Sequence, residues 1–244
     1  AICEESKTLY VVGSTQGGKS ANSQGGLVMY DVSNIENGIE VVGVYSGDGY
    51  THDAECVIYK GPQIIYQGRE ICFNYNEDTL TIVDVTNKQQ PVLLSRTPYS
   101  TSRYTHQGWL TEDHQYLLLD DELDELYGSV QRTTTYIFNV LSLDEPRMIG
   151  TYVGPTPSID HNLYIVDDRV YESNYRAGLR ILDASNVADG ELTEIAYFDV
   201  YPEDDANQFG HGIWSAYAFW MKDENPDYHF VIGQTKAQGF FILK

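Results

Sequence analysis

The sequence predicts an all-β protein, a β-propeller of four-stranded antiparallel blades, with about five blades in its 244 residues. Three observations predict this fold. A similar block of sequence recurs about every 50 residues, and a period of that length is typical of propellers. Each block contains short runs rich in Val, Ile, Leu, Tyr and Phe, as β-strands do. Gly, Pro, Asn and Asp separate the runs, which is turn chemistry, and no helical periodicity is sustained.

Each of the first four blocks divides into four strand-sized runs, which suits a four-stranded propeller blade. In chain order the predicted strands cover residues 1–6, 9–14, 27–33 and 39–46; 53–59, 70–76, 80–86 and 92–99; 107–112, 116–122, 135–140 and 148–154; 162–166, 170–175, 179–185 and 192–200; and 212–220, 229–235 and 239–244.

The fifth block has no fourth run, and propellers commonly complete a blade with a strand from the other end of the chain, which removes an open sheet edge. We therefore expect residues 1–244 to form a single propeller domain that lacks N-terminal blades of a larger ring of six or seven blades.

The charge is strongly acidic, with 36 Asp and Glu residues against 15 Lys and Arg residues and a net charge of −21. Such a surface repels phosphate backbones and anionic lipid headgroups, which argues against nucleic acid or a membrane surface as a partner. It suits a solvated exterior or the attraction of cations. No apolar run reaches the roughly 18 residues that a transmembrane helix requires, so no transmembrane segment is predicted.

Two of the three cysteines are predicted to form a disulfide. Cys56 and Cys72 lie on the first two runs of the second block, at equal distances from a turn centred on residue 64. Facing positions on neighbouring antiparallel strands can meet disulfide geometry. A Cys56–Cys72 bridge implies an oxidising compartment, either extracellular or periplasmic. Two buried free thiols are the alternative, and Cys3 is left over.

Several stretches resemble the choice-of-anchor B family, whose members are secreted proteins with LVIVD-type propeller repeats. They are DGYTHDAECVIYKGP, YQGREICFNYNEDTLTIVDV, YTHQGWLTEDHQYLLLDDELDE, GTYVGPTPSIDHNLY and NYRAGLRILD. The segments LTIVD at 80–84 and LRILD at 179–183 correspond to two of the repeats. The resemblance implies an extracellular or cell-surface location and attachment through differing terminal segments. It implies no established reaction.

The stretch from Gly13 to Ser20 matches the pattern G-x-x-x-x-G-K-[ST] of phosphate-binding loops. A phosphate loop requires a helix whose N-terminus faces the phosphates, whereas here a polar stretch and a strand-like run follow. We therefore expect no nucleotide cofactor.

Four of the six histidines recur near the head of the first strand in successive blocks. In a propeller the first strand of each blade lines the central channel, so these side chains are expected to converge at one mouth. Neutral imidazole binds transition metals, whereas carboxylates also suit Ca²⁺. The predicted ligands of a divalent metal, either Ca²⁺ or a transition metal, are His52, Asp53, His106, Asp121, Asp160, His161 and His211.

The strand pairing places His106 opposite Asp121 and His161 opposite Asn174, and Glu122 is a further oxygen donor at a facing strand end. A structural alternative stays open, in which this polar ring only hydrogen-bonds neighbouring blades and water and thereby fixes their registry. The acidic run from Asp120 to Glu125 is interpreted as a solvated blade edge; Ca²⁺ binding is the alternative, although the run lacks the alternating oxygen ligands and central glycine of an EF-hand loop.

Two tryptophans, Trp109 and Trp214, each follow a repeated histidine by three residues, which indicates stacking between blades.

The sequence favours an extracellular or cell-surface module for interaction or structural assembly that also binds cations. Its partners would be proteins or glycans at the cell exterior, or further copies of itself. The alternative is a metal-dependent hydrolase with its site at the propeller axis, where a bound metal activates water. Whether the protein is an enzyme stays open at this point, and the residues assemble no catalytic triad.

Overall fold

The computed structural model describes residues 1–14, 24–218, 231–237 and 239–243. Most of the phosphate-loop-like stretch, from residue 15 onward, lies outside the described residues. No helix in the described part of the chain is long and apolar enough to cross a membrane.

The described strands form five separate antiparallel sheets, arranged as the blades of a β-propeller. Blade 1 contains β1 (Ile2–Cys3), β2 (Thr8–Val11), β3 (Leu27–Asp31) and β4 (Glu40–Tyr45). Blade 2 contains β5 (Asp53–Ile58), β6 (Glu70–Tyr75), β7 (Thr79–Asp84) and β8 (Val92–Pro98). Blade 3 contains β9 (Thr105–Leu110), β10 (Tyr116–Asp121), β11 (Thr134–Asn139) and β12 (Arg147–Val153).

Blade 4 contains β13 (Asn162–Val166), β14 (Arg169–Ser173), β15 (Leu179–Asp183) and β16 (Thr193–Phe198). Blade 5 contains β17 (Ile213–Tyr217), β18 (Val231–Thr235) and β19 (Phe240–Leu243), three strands in the described part of the chain. Short 3-10 turns lie at Ile35–Asn37, Ile64–Tyr66 and Val187–Asp189.

Strands in the middle of a blade are more buried than the outermost strand, as expected when blades are arranged around a central axis. In blades 2 and 3 the two middle strands are almost entirely buried, because neighbouring blades cover both of their faces. The fourth strands β4, β8, β12 and β16 are largely exposed. The first strands of successive blades lie against one another, β1 on β5, β5 on β9, β9 on β13 and β13 on β17. The hydrophobic core therefore lies between blades, around a central channel lined by the first strands.

The channel wall also holds blades together through buried side-chain acceptors. Glu55 on β5 accepts a hydrogen bond from the backbone N–H of Leu110 on β9 at 2.8 Å. Gln107 on β9 repeats this contact one blade later and accepts from the N–H of Leu163 on β13 at 2.8 Å. Buried side-chain acceptors at the channel wall therefore link neighbouring blades at these two positions.

The predicted disulfide is confirmed. Cys56 and Cys72 are directly opposite in the pairing of β5 with β6, and their sulfurs are bonded at 2.04 Å. Cys3 is a buried free thiol.

The acidic run at the end of β10 departs from the sequence interpretation. Asp120, Asp121, Asp124 and Glu125 are buried, with at most 2% of each residue exposed, so the run is not a solvated edge. The chain turns inward after β10 because Asp121 accepts backbone hydrogen bonds from Arg103 and Tyr104, which pack the loop against the preceding blade-to-blade connection.

Candidate metal centre at the channel mouth

Three of the four repeated histidines meet at one end of the channel. His52 immediately precedes β5, His106 lies on β9, and His161 immediately precedes β13. The ring centroids of His52 and His106 are 4.2 Å apart, and those of His106 and His161 are 4.5 Å apart. Three adjacent blades thus each contribute one imidazole from the start of the first strand.

A β-bulge determines the orientation around His106. Asp120 pairs with Gln107, but Asp121 pairs with Thr105, so His106 is the additional residue of β9 and does not face Asp121 as predicted. Bulges re-aim side chains in this way. The Asp121 carboxylate instead accepts from the Tyr99 hydroxyl at 2.7 Å and from two backbone N–H groups of the preceding loop.

The carboxylate that reaches the histidines belongs to the next residue, Glu122. Its Oε2 lies 3.6 Å from Nε2 of His106, and its Oε1 lies 3.6 Å from Nε2 of His161. One ligand atom from each of the three residues lies within 4.8 Å of the other two. The position of Glu122 at the end of β10 was apparent in the sequence, but the bulge that brings it forward in place of Asp121 was not.

The protonation of His161 follows from its hydrogen bond. Its Nδ1 is 2.6 Å from the backbone oxygen of Trp214, and a carbonyl only accepts, so Nδ1 carries a proton. Burial lowers the pKa of His161 to about 4, so the ring is neutral near pH 7 and Nε2 presents a bare lone pair. That lone pair faces a carboxylate oxygen of Glu122.

The other two imidazoles are also poised as neutral donors. Burial holds the pKa of His106 well below its usual range, and the neighbouring histidines lower it further. Burial lowers the pKa of His52 as well. The Nδ1 of His52 is 2.9 Å from the hydroxyl oxygen of Tyr104 and 3.5 Å from that of Tyr50. Burial raises the pKa of Glu122, while the hydrogen bond from Tyr175 and the charge of Lys236 oppose that effect.

Aromatic residues of blades 4 and 5 complete the mouth. The ring of Trp214 lies 4.5 Å from that of His161, and the Lys236 Nζ lies 4.2 Å from the Trp214 ring centroid. Trp214 therefore occupies the blade-5 position in which a fourth histidine was expected.

Trp109 packs edge-on against Tyr164 of the next blade, with ring centroids 4.9 Å apart, which confirms stacking between blades.

The remaining predicted ligands lie elsewhere. His211 stacks on Tyr201 with ring centroids 4.6 Å apart, because the left-handed glycines Gly210 and Gly212 on either side turn the backbone away. Asp53 lines a channel cavity of about 470 Å³, and its Oδ1 accepts from the N–H of Ala54 at 2.8 Å. Asp160 belongs to a second carboxylate group, with Asp124 and Glu125.

Two imidazoles and one carboxylate that surround one point are the donor set that divalent transition metals such as Zn, Fe or Mn accept in proteins. The residues present fit such an ion. The ligand atoms would be nitrogens of two neutral imidazoles and one carboxylate oxygen, and His161 Nε2 and the Glu122 carboxylate face each other with lone pairs that a cation could accept. Bound there, a metal would act as a Lewis acid and lower the pKa of a water ligand.

The chain matches no family model and no curated protein. Among solved structures it is similar over 100% of its length to a protein from Lactobacillus plantarum, at 12% identity and a TM-score of 0.67, covering 69% of that chain. It is similar over 100% of its length to the periplasmic gluconolactonase PpgL of Pseudomonas aeruginosa, at 14% identity and a TM-score of 0.62, covering 67% of that chain. It is also similar over 97% of its length to Sqt1 of Saccharomyces cerevisiae, at 8% identity and a TM-score of 0.58, covering 68% of that chain. The β-propeller fold is confirmed.

Proposed function

We propose that the protein is a metal-binding β-propeller of the cell exterior, in which His106, His161 and Glu122 hold a divalent transition-metal ion at the channel mouth. The observation that carries this proposal is the pair of opposed acceptors, the bare Nε2 of neutral His161 and the Glu122 carboxylate, 3.6 Å apart. A cation between these two acceptors would replace their mutual repulsion with two ligand bonds. His52 stands beside them as a further imidazole donor.

The extracellular or cell-surface location is part of the proposal. It is supported by the disulfide, since such bonds persist in oxidising compartments, and by the acidic charge of −21. The resemblance to the choice-of-anchor B family is consistent with this location. We place the primary role in interaction or assembly with protein or glycan partners. Exposed apolar side chains on the outer strands, among them Ile195 and Tyr197 on β16, offer a surface for it.

A second candidate function is metal-dependent hydrolysis, and the ligand count favours it. Catalytic zinc sites keep three protein ligands and leave a position for water, and here three protein groups converge. The hydroxyls of Tyr50 and Tyr104 beside His52 could position a substrate oxygen near that water. The likeness in fold to a protein described as a gluconolactonase makes lactones and esters the first substrates to test.

The metal proposal is tested by elemental analysis of untagged protein incubated with Zn²⁺, Mn²⁺ or Fe²⁺ and then dialysed. We expect about one transition-metal ion per chain in the wild type and in His211→Ala, and almost none in His106→Ala. His211 is the matched control because it lies outside the cluster. A metal-free wild-type protein, or equal metal content in the two variants, would overturn the proposal.

The two functions are then separated by activity. The metal-loaded protein is assayed on a panel of aldonolactones and aryl esters, before and after removal of the metal with a chelator. Hydrolysis that requires the metal and is lost in His106→Ala supports the hydrolase. Stoichiometric metal without metal-dependent turnover leaves the interaction module as the function.

A further inference from the structure

A second group of carboxylates is buried where blade 3 meets blade 4. Asp124 and Glu125 belong to the loop between β10 and β11, and Asp160 belongs to the segment before β13. One oxygen from each residue lies within 4.8 Å of one oxygen from each of the others. Asp124 and Asp160 are fully buried, and only 2% of Glu125 is exposed. This group is distinct from the histidine cluster, which takes Glu122 from the same loop.

The hydrogen bonds of these residues leave oxygens without donors. Asp124 accepts from the Tyr136 hydroxyl through Oδ2, and Asp160 accepts from the N–H of Thr134 through Oδ2 at 2.9 Å. The second oxygen of each aspartate and both oxygens of Glu125 accept no well-formed hydrogen bond among the described residues; they approach only one another and the backbone N–H of Glu125. Whichever oxygen Glu125 directs toward the two aspartates is therefore buried and without a well-formed hydrogen bond. Buried polar atoms without partners are rare in native proteins, and each one calls for an explanation such as an ion.

No cationic side chain compensates these charges in the part of the chain that the structure describes. The ion pairs formed by its Lys, Arg and His residues all go to other acidic groups. Two carboxylates cannot donate to each other unless one holds a proton, so the cluster requires either protons or a cation. Asp120, a fully buried residue of β10, adds a further acidic group beside this loop.

We propose that Asp124, Glu125 and Asp160 bind a Ca²⁺ ion that joins blade 3 to blade 4. The ligands are oxygen only, which suits a hard cation rather than a transition metal. Ca²⁺ rather than Mg²⁺ fits because one loop and the segment before β13 supply the carboxylates at a buried site, whereas Mg²⁺ demands near-octahedral geometry and usually keeps several waters. The ion would fix the loop between β10 and β11 against Asp160, and that loop also carries Glu122.

The experiment uses the full chain, stripped of metal with EGTA and then titrated with CaCl₂ or MgCl₂ while heat release and thermal unfolding are followed. We expect one Ca²⁺ per chain with a Kd of about 1 mM or tighter, the range of extracellular calcium modules, and a Tm that rises with Ca²⁺. We expect at least ten-fold weaker Ca²⁺ binding in Glu125→Gln and Asp160→Asn, which keep side-chain size while removing charge. The exposed carboxylate variant Glu145→Gln is the matched control and should bind as the wild type does.

Three outcomes would overturn the proposal: no Ca²⁺-dependent heat or Tm shift in the wild type, an equal shift in the double variant Glu125→Gln/Asp160→Asn, or a preference for Mg²⁺. The first would mean that protons neutralise the cluster, and the second that Ca²⁺ binds elsewhere on the protein. Because His106→Ala leaves these carboxylates intact, Ca²⁺ binding should persist in that variant. Failure of the calcium proposal is therefore distinguishable from failure of the transition-metal site.

Discussion

Tyr175, which follows β14 in blade 4, donates its hydroxyl to Oε1 of Glu122 from blade 3. The same carboxylate faces His106 and His161, so the tyrosine orients the one acidic group of the histidine cluster. A hydrogen bond from outside the ligand set fixes a ligand's direction and tunes its basicity. The boundary between blades 3 and 4 thus brings Tyr175 and His161 of blade 4 against Glu122 of blade 3.

Replacing Tyr175 with Phe should weaken transition-metal binding about ten-fold or more, because outer partners of metal ligands contribute roughly that much to affinity. The ring contact of Tyr175 with His161, at 4.8 Å between centroids, is retained, so the fold should be preserved. The measurement is the Kd for Zn²⁺ in competition with a chromogenic chelator. Tyr201→Phe, next to His211 and outside the cluster, is the control. Identical Kd values for the two variants would show that Tyr175 does not orient Glu122.

The Cys56–Cys72 disulfide closes a loop across a sequence separation of 16 residues. In the chain-entropy description, a loop of about 15 residues stabilises a protein by about 3 kcal/mol, so the double variant Cys56→Ala/Cys72→Ala should lose roughly that amount. Urea unfolding followed by tryptophan fluorescence measures the difference. Reductant should destabilise the wild type and leave the double variant unchanged. Cys3→Ala, which removes the free thiol, should keep the response to reductant. A wild type insensitive to reductant under unfolding conditions would contradict this account.

The repeat architecture was predictable from the sequence because each blade is encoded locally. Alternating runs and turns define the strands, and the equal spacing of Cys56 and Cys72 from one turn predicted the pairing that the structure confirms. The convergence of His52, His106 and His161 follows from that repetition alone. The prediction depended on each residue keeping the same place in its blade.

What could not be predicted are departures from the repeat. Because of the bulge at His106, Asp121 pairs with Thr105, and Glu122 rather than Asp121 lies next to His106. No residue type in the sequence marks such a bulge. Two glycines at positive φ move His211 away; they set this stretch apart from the other three histidine stretches, but a glycine does not by itself reveal the φ that it adopts. The burial of Glu125 depends on tertiary contacts that a dense acidic run does not encode.

Glu55 should make the stability of the protein depend on pH. Burial raises its pKa to about 8, and the backbone bond from Leu110 only partly offsets that effect. Between about pH 5 and pH 8, Glu55 is therefore protonated in the folded protein and ionised in the unfolded chain. Its contribution to the free energy of unfolding falls as the pH rises through that range. For one such group, the free energy of unfolding falls by at most about 1.4 kcal/mol per pH unit.

Glu55→Gln removes this titration while its amide oxygen can still accept from Leu110. The free energy of unfolding of the variant relative to the wild type should therefore increase from pH 5 to pH 8, as measured by urea unfolding at each pH. Glu145→Gln, at an exposed salt bridge, should show no such trend. A difference between Glu55→Gln and wild type that is constant across this range would mean that Glu55 is ionised in the folded protein.

Gly212 should not tolerate a side chain, both because of its backbone conformation and because another backbone segment lies close to it. Its φ is +85°, and a Cβ there would lie 1.9 Å from the backbone oxygen of Tyr175. That oxygen accepts the N–H of Ile213 at 2.8 Å and so links blade 4 to blade 5. Gly210 has a φ of +107° but nothing within 4 Å of its Cβ position, which makes it the matched control.

We expect Gly210→Ala to lose about 1–2 kcal/mol of stability, the cost of a left-handed conformation for an L-residue. Gly212→Ala should lose at least about 2 kcal/mol more, because overpacking against backbone adds to that cost. Since the displaced backbone is that of Tyr175, Gly212→Ala should also weaken Zn²⁺ binding, whereas Gly210→Ala should not. Urea unfolding and the chelator competition measure both effects. Equal losses of stability in the two variants would show that the approach of Gly212 to Tyr175 is not required by the fold.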